Sequence, residues 1–144
     1  MSMELHVLLR NSAVPTVEEW QRALTEASFN LILDNALKIR EASGYSPAIY
    51  NGVKTGFEFD LFPASDIMET YEGIAEQIGD RDLSANFRWG GDLRECVAAC
   101  IASGVLTKLC DGILYDPQEN IFFGGDEAIA MARQTIQDAG DLDS

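Results

Sequence analysis

Residues 79–120 read GDRDLSANFRWGGDLRECVAACIASGVLTKLCDGILYDPQEN, a strand, a long helix and a second strand in immediate succession. Leu83, Ala85, Phe87 and Trp89 alternate with Asp82, Ser84, Asn86 and Arg88, the two-residue period of a strand with one buried and one wet face. Gly90-Gly91 breaks the strand and Asp92 is placed to cap a helix. Leu93, Cys96, Val97, Cys100, Ile101 and Gly104 then recur at the three-and-four spacing of an amphipathic helix over 92–109. Ala98, Ala99, Ala102, Ser103 and Gly104 flank that stripe with small side chains, which suits close packing on a sheet and gives both helix cysteines a packing role. Asp111-Gly112 turns the chain into a strand over 112–116, which Asp116-Pro117 ends.

Working outward from this stretch, Met3, Leu5, Val7 and Leu9 face one way and Glu4, His6 and Leu8 the other, a first strand over 3–9. Thr16 and Glu19 stand at capping-box spacing ahead of Val17, Trp20, Leu24 and Ala27, so a helix is expected over 16–27. The apolar run 29–39 has room for a short strand at 31–33 and a turn at Asp34-Asn35. Strands over 45–50 and 56–62 flank Asn51-Gly52 as a hairpin whose loop is longer than two residues, with Phe57, Phe59 and Leu61 turned one way. Pro63 ends the second of them, and Ser65 or Asp66 caps a helix over 66–78. Its apolar face is Ile67, Met68, Tyr71, Ile74, Ala75 and Ile78, opposite Asp66, Glu69, Glu72 and Glu76. A short strand over 120–123 and a helix over 126–138, with Ile129, Ala132 and Ile136 inward, complete the order, and the tail 138–144 is expected to fray. The pattern predicts one α+β domain across 1–144 with its core over about 3–138, a mostly antiparallel or mixed sheet with about four helices on it.

A chain of 144 residues, 47% of them hydrophobic, can bury a core without disulfides or a metal. The formal charge of −14 argues against nucleic acid or an anionic membrane as a partner, since both reward dense Lys and Arg. Three cysteines, no apolar run of about 20 residues and an early acidic residue favour the cytoplasm. His6 is the only histidine, so sites that need two or three are excluded by count. Cys96, Cys100 and Cys110 fall short of a four-ligand zinc set, no phosphate-binding glycine motif occurs, and no cofactor or metal is expected. Glu58 and Asp60 share a strand face, and Asp111, Asp116 and Glu119 flank another strand; a carboxylate-dependent hydrolase or a hard-cation site would draw on such pairs.

The charge pattern carries the argument beyond fold. Between Lys54 and Arg81 stand Glu58, Asp60, Asp66, Glu69, Glu72, Glu76 and Asp80 with no base, and after Lys108 eight acids face Arg133 alone. A solvated face that keeps the protein soluble accounts for this, and so does a docking face for a basic protein. The runs FRWGGDLRECVAAC at 87–100 and VLTKLCDGILYDPQEN at 105–120, with GDRD at 79–82, resemble small bacterial single-domain proteins, some of which accompany polymorphic or contact-dependent toxins as immunity proteins. The resemblance implies a small, acidic, cytosolic binding protein without a catalytic constellation, and it transfers no site residue by position. The expectation is therefore a non-enzymatic module that binds a basic protein such as a toxin domain, with Asp66, Glu69, Glu72 and Glu76 as the contact face. A structural or assembly subunit is the remaining alternative.

Overall fold

The computed structural model describes residues 3–140, so the expectations for residues 1–2 and for the tail beyond Gly140 lie outside the described residues. The chain forms β1 (Met3–Leu9), α1 (Val17–Glu26), β2 (Leu31–Leu33), β3 (Ser43–Tyr50), β4 (Val53–Pro63), α2 (Ala64–Thr70), α3 (Ala75–Ile78), β5 (Leu83–Trp89), α4 (Leu93–Leu109), β6 (Ile113–Asp116), β7 (Ile121–Phe123) and α5 (Gly125–Ala139). The strands make one antiparallel sheet in the order β2-β3-β4-β5-β1-β6-β7, which with its helices is the expected α+β class. Among the described residues no helix is long and apolar enough to cross a membrane.

The strand-helix-strand stretch has an unexpected place in this order. β5 and β6 are both antiparallel to β1 and therefore parallel to each other, with β1 lying between them. The N-terminal strand thus fills the gap that α4 leaves as it crosses from β5 to β6. α1, α4 and α5 cover one side of the sheet, the inner side, where Trp20, Phe57, Phe59 and Phe87 pack with ring centroids 5.0 to 6.0 Å apart. The capping box at the start of α1 forms as expected: the Glu19 amide donates to the Thr16 hydroxyl, and the Thr16 amide to the Glu19 carboxylate.

Three expectations are corrected here. α4 is not amphipathic. Every residue from Val97 through Thr107 is buried, because α1, α5 and the sheet enclose it, while Leu93, assigned to its inward stripe, is 48% exposed. A Cβ on Gly104 would lie 2.8 Å from the Ala128 carbonyl oxygen, so its smallness serves the approach of α5 rather than of the sheet. The β3–β4 loop is the two-residue Asn51-Gly52 turn itself, since Tyr50 pairs with Val53 and the strand begins three residues earlier than expected.

The third correction is the supposed wet face of β5. Ser84 and Asn86 are buried, at 0% and 4% exposed, because α2 and α3 lie across the other side of the sheet, its outer side. There Ala64, Ile67, Ile74 and Ile78 pack on Leu8 and Tyr115 and make a second, smaller core. Alternation along a strand reveals two faces; it says nothing about what covers each of them.

Candidate functional site

The acidic segment does not form the single helix face predicted for it. Instead of one helix over 66–78 the chain ends α2 at Thr70, passes through extended Tyr71 (φ −123°, ψ 121°) and left-handed Gly73 (φ +81°), and resumes as the single turn of α3. Asp66 and Glu69 therefore stand on α2, Glu72 in the break and Glu76 on α3. All four are exposed, and none joins an ion pair among the described residues.

The break has a physical cause in Tyr71. Its hydroxyl donates to Glu4 Oε1 at 2.6 Å, and its ring lies 5.4 Å from that of Tyr115 and 6.0 Å from that of His6. An uninterrupted helix would hold Tyr71 on its own surface, whereas extended backbone lets the side chain reach down to the sheet. Gly73 then supplies the positive φ that turns the chain back toward Ile74, which is buried.

Beneath Tyr71 lies a polar cluster that the sequence reading did not assemble. Strand register places Glu58, Arg88 and Glu4 in one row across the outer side of the sheet, and Asp60, Asn86, His6 and Tyr115 in the next. The Asn86 amide donates to Asp60 Oδ1 at 2.7 Å, which fixes its orientation and turns Oδ1 toward His6 Nδ1 at 2.7 Å and the Ser84 hydroxyl at 2.6 Å. His6 Nε2 lies 3.2 Å from Glu4 Oε1, and Arg88 Nε 3.3 Å from Glu4 Oε2. Burial pushes the Glu4 carboxyl up, but the Tyr71 hydroxyl, His6 and Arg88 together hold it below its ordinary value. Burial, and then donation to Glu4, push the Tyr71 hydroxyl up to about 12.

This cluster contains the residue types of a catalytic site, yet its geometry is that of a clamp. Both Glu4 oxygens, both ends of the Asn86 amide and both His6 nitrogens are engaged with one another, tying β1, β4, β5 and the α2–α3 break together. Of the other carboxylates singled out, Glu58 is exposed on the outer side, Asp111 lies 3.7 Å from Arg10, and Asp116 accepts from the Gln118 amide in its own turn. Among the described residues no three His, Cys, Asp or Glu side chains are grouped to hold a metal ion.

The cysteines are free thiols, and they differ from one another. Cys100 and Cys110 are buried, whereas Cys96, expected in the core, is only half-buried. Hydrogen bonding from Cys100 and from Trp89 pulls the Cys96 thiol down to about 7 against its burial, and the same partnership pushes Cys100 up.

Compared with protein-family models, with curated proteins and with solved structures, the chain matches none.

Proposed function

We propose that this chain is a non-enzymatic, cytoplasmic binding module that holds a basic protein, in the manner of an immunity protein that neutralises a toxin domain by occupying it. The observation that carries this reading is the imbalance of unpaired charge. Asp66, Glu69, Glu72 and Glu76 are exposed and outside the described ion pairs, while Arg10 is spent on Asp80, Arg88 on Glu4 and Lys108 on Asp126. With a net charge of −14, the resulting field reaches a partner across roughly 8–10 Å at ordinary ionic strength and raises its encounter rate by about 10- to 1,000-fold. Such fields act on association rate and partner choice more than on the strength of the docked complex.

A carboxylate-dependent hydrolase would draw on Glu58 and Asp60. Asp60 is committed to Asn86 and Arg88 while Glu58 stands exposed outside that cluster, which favours the binding reading over it.

The test is co-expression with the product of any adjacent toxin-like gene, followed by replacing Asp66, Glu69, Glu72 and Glu76 with Asn or Gln. Protection from the toxin and a complex whose association rate falls about tenfold in the neutralised variant, chiefly at low salt, are expected. No complex with any such product, or association that neutralisation leaves unchanged at every salt concentration, would remove the proposal.

A further inference from the structure

The outer side of the sheet is only half covered. α2 and α3 lie over β1, β5, β6 and the end of β4, but over β2, β3 and the start of β4 the strands face solvent. There Ile32 (51% exposed) pairs across the strands with Ile49 (37%), and Tyr45 (57%) and Pro47 continue the same face. Together with Asp34 and Lys54 they line an open groove of about 560 Å³. Apolar side chains on the core face of a strand need no further explanation, but these stand on the opposite one.

A Cβ on Gly56, whose φ is +159°, would come within 2.6 Å of the end of the Tyr45 side chain and 2.5 Å of the Ser46 carbonyl oxygen, so the Tyr45 hydroxyl end lies over the neighbouring strand at Gly56. The edge beyond Ile32 is closed. The Gln21 side chain donates to the Leu31 carbonyl oxygen at 3.0 Å and accepts from the Leu33 amide at 2.7 Å, occupying the positions that an added strand would use. A partner at this end must therefore lie on the face, not extend the sheet at β2.

Charge identifies the partner. Glu58 adjoins Tyr45 in register, Asp60 and Glu4 follow on the same face, and Asp92 and Glu95 lie near enough to act on the Tyr45 hydroxyl. The acids of α2, α3 and their break stand on this same side of the sheet. Against them stand Lys54, Arg88, which is held by Glu4 and Asp60, Arg94 between Asp92 and Glu95, and, beside α3, Arg10 on Asp80 and Arg81 on the Ile78 carbonyl oxygen, so acids still outnumber bases here. A second copy would bring like charges together around the apolar centre. We infer that the face built on Ile32, Ile49, Tyr45 and Pro47 docks a basic protein, whose apolar anchor covers the groove while its cationic rim meets Glu58 and the acids beyond. This rests on the binding reading above and gives it an apolar centre that charge alone does not supply.

The experiment is titration of the isotope-labelled protein with a short amphipathic peptide of Lys and Leu, followed by amide shifts. Two control peptides carry Glu for Lys or Ser for Leu. Shifts centred on Ile32, Tyr45, Ile49 and Glu58, roughly tenfold weaker binding of both controls, and a similar loss in the Ile32→Ser/Ile49→Ser variant are expected. Thermal melting of that variant separates lost binding from lost folding. Shifts confined to 66–76 with these four residues unmoved would overturn the surface and leave the basic-partner reading standing. Equal binding of the Glu peptide would overturn both. Concentration-dependent shifts of the same residues in the protein alone would assign the face to a second copy and overturn the inference.

Discussion

At the scale of single residues, one hydroxyl anchors the chain where the helix breaks between Thr70 and Ala75. Tyr71→Phe removes the donor to Glu4 and is expected to lower stability by roughly 1–2 kcal/mol near neutral pH. Its pH dependence has two limbs. The folded-state value of Tyr71, about 12 against 10.0, is raised, so its contribution is complete below the unfolded value and is lost as pH rises from 10 toward 12. The folded-state value of Glu4 is depressed, so its contribution is present above the unfolded value of 4.5 and is lost as pH falls through the lowered one. Denaturant titrations across pH should show both limbs in the parent and a flattened alkaline limb in the variant; an unchanged alkaline limb would refute the role given to Tyr71. The cysteines provide a second test, because a thiolate reacts and a thiol does not. Cys96 should be labelled first by a thiol reagent, at a rate that rises through pH about 7, and Cys100 and Cys110 only on unfolding. Labelling of all three at one rate would contradict the burial described. The burial of Cys100 was legible in the helix spacing; the exposure of Cys96 and the contact of Tyr71 were not. Spacing placed Cys96 and Cys100 on one stripe and Tyr71 on an apolar face, but the depth of each is set by elements distant in sequence.

At the scale of elements, what is local in cause was legible and what depends on a partner was not. The Thr16–Glu19 box and the spans of β1, β5 and α4 rest on signals close by in the chain, and they appear where the sequence places them. The helix expected over 66–78 failed because its periodicity was sound while its continuity was overruled by a contact with Glu4, far away in the chain. The acidic face predicted on it failed with it as a helical surface, although all four acids remain exposed. β2 shows the opposite case: the short strand for which the sequence has room at 31–33 forms there, and its edge is held through Gln21 of α1. Gln21→Ala should leave the Leu31 carbonyl and the Leu33 amide to water, with a loss of about 1–2 kcal/mol, and faster amide exchange in 31–33 than in β5. It also reopens an edge, so sizing at high concentration should reveal association that the parent lacks. If the variant melts like the parent and its 31–33 amides stay protected, Gln21 is not what closes this edge.

At the scale of the whole molecule the governing quantity is charge, and it sets two effects of salt against each other. A chain with 24 acids and 10 bases repels itself when folded, because compaction brings like charges together. Raising ionic strength from about 0.01 M to about 0.1 M shortens the screening length from roughly 30 Å to roughly 10 Å, and so removes most of the repulsion between distant acids. The same salt weakens the exposed pairs Arg10–Asp80 and Lys108–Asp126, but exposed pairs add little to stability and their partners are in contact, where screening acts least. The pairs that Glu4 and Asp60 make with Arg88 are still less affected, because the protein around them keeps salt ions at a distance. Relief of repulsion therefore wins, and the melting temperature should rise over this range by a few degrees, at roughly 2–4 °C for each kcal/mol gained. Sodium chloride suits the measurement because strongly excluded salts such as sulfate stabilise proteins whatever their charge. The variant that neutralises Asp66, Glu69, Glu72 and Glu76 should begin from a higher melting temperature at low salt and gain less as salt is added. A parent whose melting temperature is flat or falls with salt would show that its acids are too dispersed to act together, and the long-range attraction proposed for a basic partner would lose its source.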